Sequence, residues 1–439
     1  MEGKSKKTIL RAALLSGILL ILFMPVLQDT THLKPWIRPL HGAFVPVSDP
    51  PFSWKGWFNG SFQEEKNKFL KENFGLHNYY IILNSQLDYW LFKKAHVKNV
   101  IVGKGNYLFE TPYFDAYFGR DFIGKQKAGT LVAQLKKVQD TLEKQNKLVL
   151  VVLAADKASF YPEYIPPSFA SKKAPTNYEY LLRKMDELQI NHIDFNSWFI
   201  SQKNKSPYPL YPQYGIHWSN YGSMLAFDSI VKYVEFKTKT DLPELICDKI
   251  EVSDSLRLPD NDILSAMNLY AAPSTFKMAY PDYHVEIDSA RQRKLSLLVV
   301  GDSFWWQIYG SGLTGKVFSP SRFWYYNIEM YPETHKSACQ VYNSDYAAAI
   351  GKSDVILLIY SEPGLSKFGN GFIEMLYETF YEPHKRAREI QEMKKKILSD
   401  PGWCNTIRED ASARGLPFDS VVTLNALYTL QLNKEKTRR

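Results

Sequence analysis

The sequence predicts a doubly wound α/β domain on a mainly parallel sheet, preceded by one N-terminal transmembrane helix. Three observations carry this. First, the runs KLVLVVL (147–153), KLSLLVV (294–300) and DVILLIY (354–360) are apolar on both faces, as strands covered by helices on each side must be. Second, segments with apolar residues at three- and four-residue spacing lie between them, so strand and helix alternate. Third, the chain from Ala12 to Leu27 is apolar apart from Ser16, Gly17 and Pro25.

With its flanks, that N-terminal run approaches the roughly 20 residues that a bilayer-spanning helix requires. Lysines and Arg11 precede it, so the positive-inside rule leaves residues 1–30 as a cytoplasmic tip and anchor and exports the rest. A cleaved signal peptide is the rival, but MPVLQDTT is a poor cleavage site. The expected location is the inner (cytoplasmic) membrane, single-pass, with the bulk of the chain periplasmic. Residues 31–97 read as a juxtamembrane adaptor, helical over its second half, where Phe69, Phe74, Tyr79, Ile82, Leu87 and Leu91 recur at helical intervals. VKNVIVGKGNYLFE then reads as a strand or hairpin at a domain entrance.

Residues 98–384 read as the catalytic domain. GTLVAQLKKVQDTLEKQ is an amphipathic helix, KLVLVVLAAD a buried strand, NYEYLLRKMDELQ a helix, and INHIDFNSWF a strand and turn. SNYGSMLAFDSIVKYVEF is a helix with Ser219 or Asn220 as its N-cap. Residues 240–295, rich in Pro, Asp and Tyr, read as an irregular insertion. KLSLLVVGDSFWWQIYG is strand, turn and helix; DVILLIYSEPG and FIEMLYETFYE are a further strand and helix. Residues 385–439 read as a peripheral helical hairpin broken at Pro401-Gly402. In such sheets ligands gather at the carboxyl ends of the strands, where Asp156, Asp194, Ser303 and Glu362 fall.

The bulk numbers set bounds. A chain of 439 residues implies two or three units. Its 28 Tyr, 26 Phe and 10 Trp fit either large aromatic cores or a cleft whose rings stack on sugars. The net charge of +8 is spread along the chain and partly held at its ends. No basic stripe or nucleic-acid motif accompanies it, so no nucleic-acid partner is expected; an anionic membrane surface or simple solubility accounts for it. The three cysteines, Cys247, Cys339 and Cys404, form no CxxC pattern, so no metal site is expected. One disulfide with a spare thiol and three free thiols both remain open.

The chemistry-bearing stretches are LLVVGDSF and YGIHWSNYG. A serine hydroxyl is a poor nucleophile at neutral pH and needs a base within reach and donors for the oxyanion. Gly301 permits a tight turn at the strand end, Asp302 follows, and Ser303 opens a helix whose first amide can face an oxyanion. His217, at another helix start, is the candidate base. On spacing alone, Gly-Asp-Ser also fits a turn with an N-cap, and His-Trp also fits packing.

GDSF resembles the first block of SGNH hydrolases, and HWSNYG the Asp-x-His-Trp block of the SGNH hydrolase-like acetyltransferase family of AlgJ and AlgX, the alginate O-acetyltransferase type. The His block precedes the Ser block in that family, as here. VIVGKGNYLF, DKASFYPEYIP and LRLPDNDILSAMNLY resemble its entrance motif, its Pro-x-Lys-x-x-x-Tyr-Pro-Glu segment and its loop ahead of the Ser strand. The resemblance covers roughly residues 98–380. It implies a permuted SGNH-hydrolase-like sheet and acyl transfer through Ser303 and His217 to a hydroxyl of an exported polysaccharide. It also implies a membrane-bound O-acyltransferase as acetyl donor, and no cofactor.

The family's aspartate two residues before the histidine is here Gly215. Three readings follow: another acid (Asp194, Asp156 or Glu362) orients the imidazole, a backbone carbonyl does so, or the chain is a binding-only scaffold. An acetyl esterase using the same residues is a further alternative. Tyr107, Tyr161, Trp218, Trp305 and Trp306 are candidate acceptor-groove residues, and Arg322 a partner for an acidic sugar or an internal carboxylate.

Overall fold

The computed structural model describes residues 2–31, 39–42, 47–332, 341 and 346–437. The chain divides into two compact units, Met1–Val102 with Asn261–Thr275, and Gly103–Asp260 with Phe276–Arg439.

The first unit opens with helix α1 (Glu2–Thr31). Its stretch Lys7–Gln28 is 22 residues long, has a mean hydropathy of 2.3 and is exposed except at Pro25 and Gln28, which are half-buried. At 1.5 Å per residue that is about 33 Å, near the thickness of a bilayer's hydrocarbon core. Residues 47–97 hold three helices, the first of them ahead of the stretch expected to be helical: α2 (Trp54–Asn59), α3 (Ser61–Asn73) and α4 (His77–Phe92). Gly60, at φ 87°, separates the first two. At the next break, a side chain on Gly75 would stand 2.2 Å from the Pro25 carbonyl oxygen, so only glycine fits.

The strands are β1 (Val100–Val102), β2 (Leu108–Glu110), β3 (Leu148–Leu153), β4 (His192–Asp194), β5 (Glu244–Ser253), β6 (Met278–Glu286), β7 (Leu297–Gly301), β8 (Ser321–Tyr325), β9 (Glu329–Tyr331) and β10 (Val355–Tyr360). Six of them form the central sheet of the second unit, in the order β4-β3-β10-β7-β8-β9. All neighbours are parallel except β8 and β9. Strand β10, last in sequence, lies in the middle, with Val355 opposite both Leu148 and Leu297. The chain therefore runs outward from β3 to β4 and from β7 to β8, and the crevice at the strand ends opens between those two halves.

Both faces of the sheet are covered. Leu131, Leu135 and Val138 of helix 125–143, Leu181 and Met185 of helix 177–187, and Phe372, Ile373 and Leu376 of helix 372–381 pack on Val149, Val151, Leu298, Ile356 and Leu358. The alternate residues Leu150, Val152, Val299, Leu357 and Ile359 are fully buried as well. This is the doubly wound arrangement that runs apolar on both faces require.

The stretch read as an irregular insertion contains a long antiparallel pair, β5 with β6, running from Glu244 opposite Glu286 to Ser253 opposite Met278. The C-terminal tail is three helices, 383–399, 401–414 and 418–437. They share a core of Met393, Ile397, Ile407, Val421, Val422 and Ala426. Pro401 starts the middle helix rather than only breaking the chain, with Asp400 Oδ1 accepting the Trp403 N–H at 3.0 Å. Cys247 is an exposed free thiol and Cys404 a buried one, whereas Cys339 lies outside the described residues.

Candidate active site

Strand β7 and the turn after it build the serine side. Gly301 is required by packing: a Cβ there would lie 2.4 Å from Ile359 Cγ2 and 2.5 Å from the Ile359 carbonyl oxygen on β10. The Asp302 N–H then donates to that same carbonyl at 3.1 Å. The Asp302 carboxylate is buried and clamps the turn. Oδ1 accepts the Phe304 N–H at 3.1 Å, and Oδ2 accepts both the N–H and the hydroxyl of Ser361 at 2.7 Å. Burial raises its pKa against these bonds and the nearby His217 charge. Asp302 is thus a structural acid, and Ser303 is held at the head of the turn it fixes.

The histidine side is a loop stapled to the end of β3. The Tyr211 hydroxyl donates to Ala155 O at 2.5 Å. The ammonium of Lys157, wholly buried, donates to Gln213 O at 2.9 Å and to Gly215 O at 2.5 Å. Leu108 N–H reaches Gln213 O at 3.0 Å, so β2 holds the same loop. Two residues later comes His217, then Ser219, which caps helix 220–238 by accepting the Gly222 N–H at 2.9 Å. From the serine side, Gln307 Nε2 donates to Trp218 O at 3.0 Å. The two halves meet where His217 Nε2 lies 2.8 Å from Ser303 Oγ. The imidazole also packs on Phe304, ring centroids 5.0 Å apart.

Gly215 has a local cause. A Cβ at this position would lie 2.4 Å from the Pro259 carbonyl oxygen and 3.0 Å from the Asp260 carbonyl group. The loop before residue 261 occupies the space that a side chain would need. Asp260 is itself buried, and its Oδ1 accepts the Asn220 N–H at 3.2 Å at the start of helix 220–238. Lys157 and Asp260 fall inside DKASFYPEYIP and LRLPDNDILSAMNLY, two segments that carry the family resemblance, but neither is among the candidate site residues read from the sequence. A further signal for Lys157 is a lysine in the turn that follows a buried strand, where the side chain has no room to reach water.

The three acids at the strand ends are engaged as follows. Asp194 caps helix 195–202 through the Ser197 N–H at 3.1 Å and accepts the Tyr178 hydroxyl at 2.8 Å. Asp156 accepts the Ala158 and Ser159 N–H groups at 2.7 and 3.1 Å. Glu362 accepts the Ser159 hydroxyl at 2.5 Å and Asn196 Nδ2 at 2.6 Å. Asp156 and Glu362 are both buried, and burial raises the pKa of each, that of Glu362 to about 7.

Two of the aromatic candidates lie in the core. Trp218 and Trp305 are fully buried and present no surface to a substrate; Trp218 packs on Phe195, Phe199 and Phe304. Tyr107 is buried and stacks on Tyr164 at 3.7 Å, while Tyr161 borders a cleft of about 350 Å³ with Lys203, Tyr208 and Pro209. Arg322 faces Leu298 across the ladder, three residues before the end of β8, so it lies on the amino half of the strand, away from Ser303. Trp306 is partly exposed, one turn past Ser303, with Tyr325 and Tyr331 at 5.4 and 4.6 Å.

No curated protein sequence matches this chain. Solved structures that resemble it include the following three. The O-acetyltransferase domain of Pseudomonas putida AlgJ is 15% identical, with 64% of this chain and 100% of that one covered and a TM-score of 0.42. Bacillus cereus PatB1 is 13% identical, with 61% and 96% covered and a TM-score of 0.38. Pseudomonas aeruginosa AlgX is 12% identical, with 63% and 67% covered and a TM-score of 0.40. A family model, the SGNH hydrolase-like domain of the acetyltransferase AlgX, matches residues 100–302, a stretch that includes His217 and ends one residue before Ser303. The segment that carries β3, β4, β7 and the histidine loop is therefore similar to the AlgX-type SGNH hydrolase-like domain.

Proposed function

We propose that this chain is a membrane-anchored, periplasm-facing O-acetyltransferase that acetylates hydroxyls of an exported polysaccharide through an acyl-enzyme on Ser303. The observation that carries the reading is the 2.8 Å approach of His217 Nε2 to Ser303 Oγ at the carboxyl ends of the sheet. In the first half-reaction the Ser303 oxygen attacks the acetyl carbonyl and its proton passes to His217 Nε2. The tetrahedral oxyanion collapses, the donor's leaving group departs with that proton, and acetyl-Ser303 remains. In the second, His217 takes the proton of a sugar hydroxyl, which attacks the acetyl-serine, and the proton returns to Ser303.

The neighbouring amides of the turn are already spent: Asp302 N–H on Ile359 O, Phe304 N–H on Asp302 Oδ1, Trp306 N–H on Ser303 O. The Ser303 N–H is the donor we assign to the oxyanion. The expected acetyl donor is a membrane-bound O-acyltransferase, and tethering by α1 raises the effective concentration of the two proteins near one another.

The test uses the full chain in detergent micelles with a chromogenic acetyl ester. Wild type turns over, and Ser303→Ala and His217→Ala each lose at least about 10³-fold in kcat. Equal rates in all three proteins would remove the enzyme reading. Adding an oligosaccharide acceptor separates transfer, seen as an acetyl mass increment on the sugar, from hydrolysis to acetate.

A further inference from the structure

The first unit carries large apolar side chains that its own fold leaves uncovered. On α4, Tyr79, Leu83, Leu87, Trp90 and Leu91 recur at helical spacing along one face, and each is between 42% and 69% exposed. The opposite face, with Ile82, Ser85, Gln86 and Tyr89, is buried. A second group surrounds α2. Phe52, Trp54, Trp57 and Phe58 are all exposed, Phe58 at 81%. Their rings form one cluster, with Phe52 at 5.2 Å from Trp54 and 6.1 Å from Trp57, and Trp54 at 6.1 Å from Phe58. Contiguous apolar surface of this kind marks a binding face.

Three contacts say what lies against it. The Tyr80 hydroxyl donates to Ile21 O at 3.2 Å, and Leu76 N–H donates to Gln28 Oε1 at 3.1 Å. Gly75 sits so close to Pro25 O that no side chain fits between them. The first turn of α4 therefore runs beside the last two turns of the apolar stretch Lys7–Gln28. Ile21 lies seven residues before the end of that stretch, about 10 Å along the axis. A helical turn hydrogen-bonded at that level stands within the outer edge of any bilayer that α1 crosses. Trp and Tyr favour that zone, because each joins a flat apolar body to a polar group that stays hydrated.

We propose that α2 and α4 form an interfacial platform in the outward-facing leaflet. The Tyr79–Leu91 face of α4 and the Phe52–Phe58 cluster insert into the headgroup and upper acyl region, a second attachment beside α1. The proposal rests on reading α1 as membrane-spanning.

The experiment places the full chain in phosphatidylcholine vesicles, and in matched vesicles whose acyl chains are brominated near the headgroup. The emission of Trp54, Trp57 and Trp90 is isolated as the difference between wild type and the triple variant Trp54→Phe, Trp57→Phe, Trp90→Phe. Unchanged far-ultraviolet circular dichroism qualifies the variant, and Trp90→Phe alone replaces it if helicity falls. The expected result is loss of most of the difference emission in brominated vesicles, with little quenching by aqueous iodide. Emission that brominated lipid leaves intact overturns the proposal: iodide-accessible, the rings are in water; iodide-protected, a protein surface covers them. An alkaline carbonate wash separates the two readings. A chain that washes off refutes the α1 anchor and the platform together, whereas a chain retained but unquenched refutes the platform alone.

Discussion

Gly215, read from the sequence as replacing the aspartate of the family that the chain resembles, has no room for a side chain. Any Cβ there meets the Pro259 carbonyl oxygen at 2.4 Å, and a backbone oxygen cannot yield as a flexible side chain would. Gly215→Asp is therefore expected to lower stability by about 1–3 kcal/mol, the usual cost of overpacking, without raising turnover; a shift in Tm alongside ester kinetics checks both. Lys157 acts on the same loop from below, with bonds of 2.9 and 2.5 Å to the Gln213 and Gly215 carbonyls. Removing a buried donor leaves each acceptor unsatisfied at about 1–3 kcal/mol. Lys157→Met should lower kcat by up to about 10²-fold through misplacement of His217, with KM for a small ester nearly unchanged. A loss confined to KM would show that Lys157 does not position the base. Neither effect was legible in the sequence. Ser303 stands out because a nucleophile belongs at a strand end, and His217 because of the family likeness. The cause of Gly215 lies in a loop more than forty residues further on, and the partners of Lys157 lie about sixty residues away.

At the scale of elements, the sequence was clearest where burial is most complete. Strands β3, β7 and β10 read as uninterrupted apolar runs because both their faces are covered. Strands β8 and β9 escaped notice: SRFWYYN mixes a charge with aromatics, and only five and three residues pair. Strand β5 escaped because its exposed, charge-bearing positions carry no two-residue alternation, and β6 because Pro281 lies inside it. The join of β7 to its turn offers the sharpest test of an element's role. Gly301→Ala forces a methyl against Ile359 Cγ2 at 2.4 Å and against its carbonyl at 2.5 Å. Strand β7 must move away from β10 or twist, and Ser303 moves with it. The variant is expected to lose about 1–3 kcal/mol of stability, and more than tenfold in kcat at a temperature where circular dichroism finds it folded. Retained activity in a destabilised protein would mean that the serine turn does not depend on this ladder.

At the scale of the molecule, acids held away from water tie stability to pH in an unusual sense. Burial raises Glu362 from its ordinary 4.5 to about 7, against the Ser159 and Asn196 hydrogen bonds that favour its ionised form. Asp156 is raised by burial and then by the neighbouring Glu362 charge, and Asp121 is raised by burial to about 6. In each case the folded chain holds a proton that the unfolded chain releases at lower pH. The stabilisation is therefore complete below the unfolded pKa near 4 to 4.5, and it is lost as pH rises through the folded values of about 6 and 7. For Glu362 alone, a rise from 4.5 to about 7 corresponds to roughly 3 kcal/mol. Other carboxylates titrate in the same range, so the informative quantity is the difference from Glu362→Gln, which keeps a hydrogen-bonding side chain but cannot ionise. Thermal unfolding of the two proteins across pH 4 to 8 should show wild type losing Tm relative to the variant as pH rises from about 4.5 to 7, then running parallel to it. A constant offset over the whole range would mean that Glu362 ionises in the folded protein as readily as in the unfolded chain, and Glu362 would then have no part in setting the molecule's pH dependence.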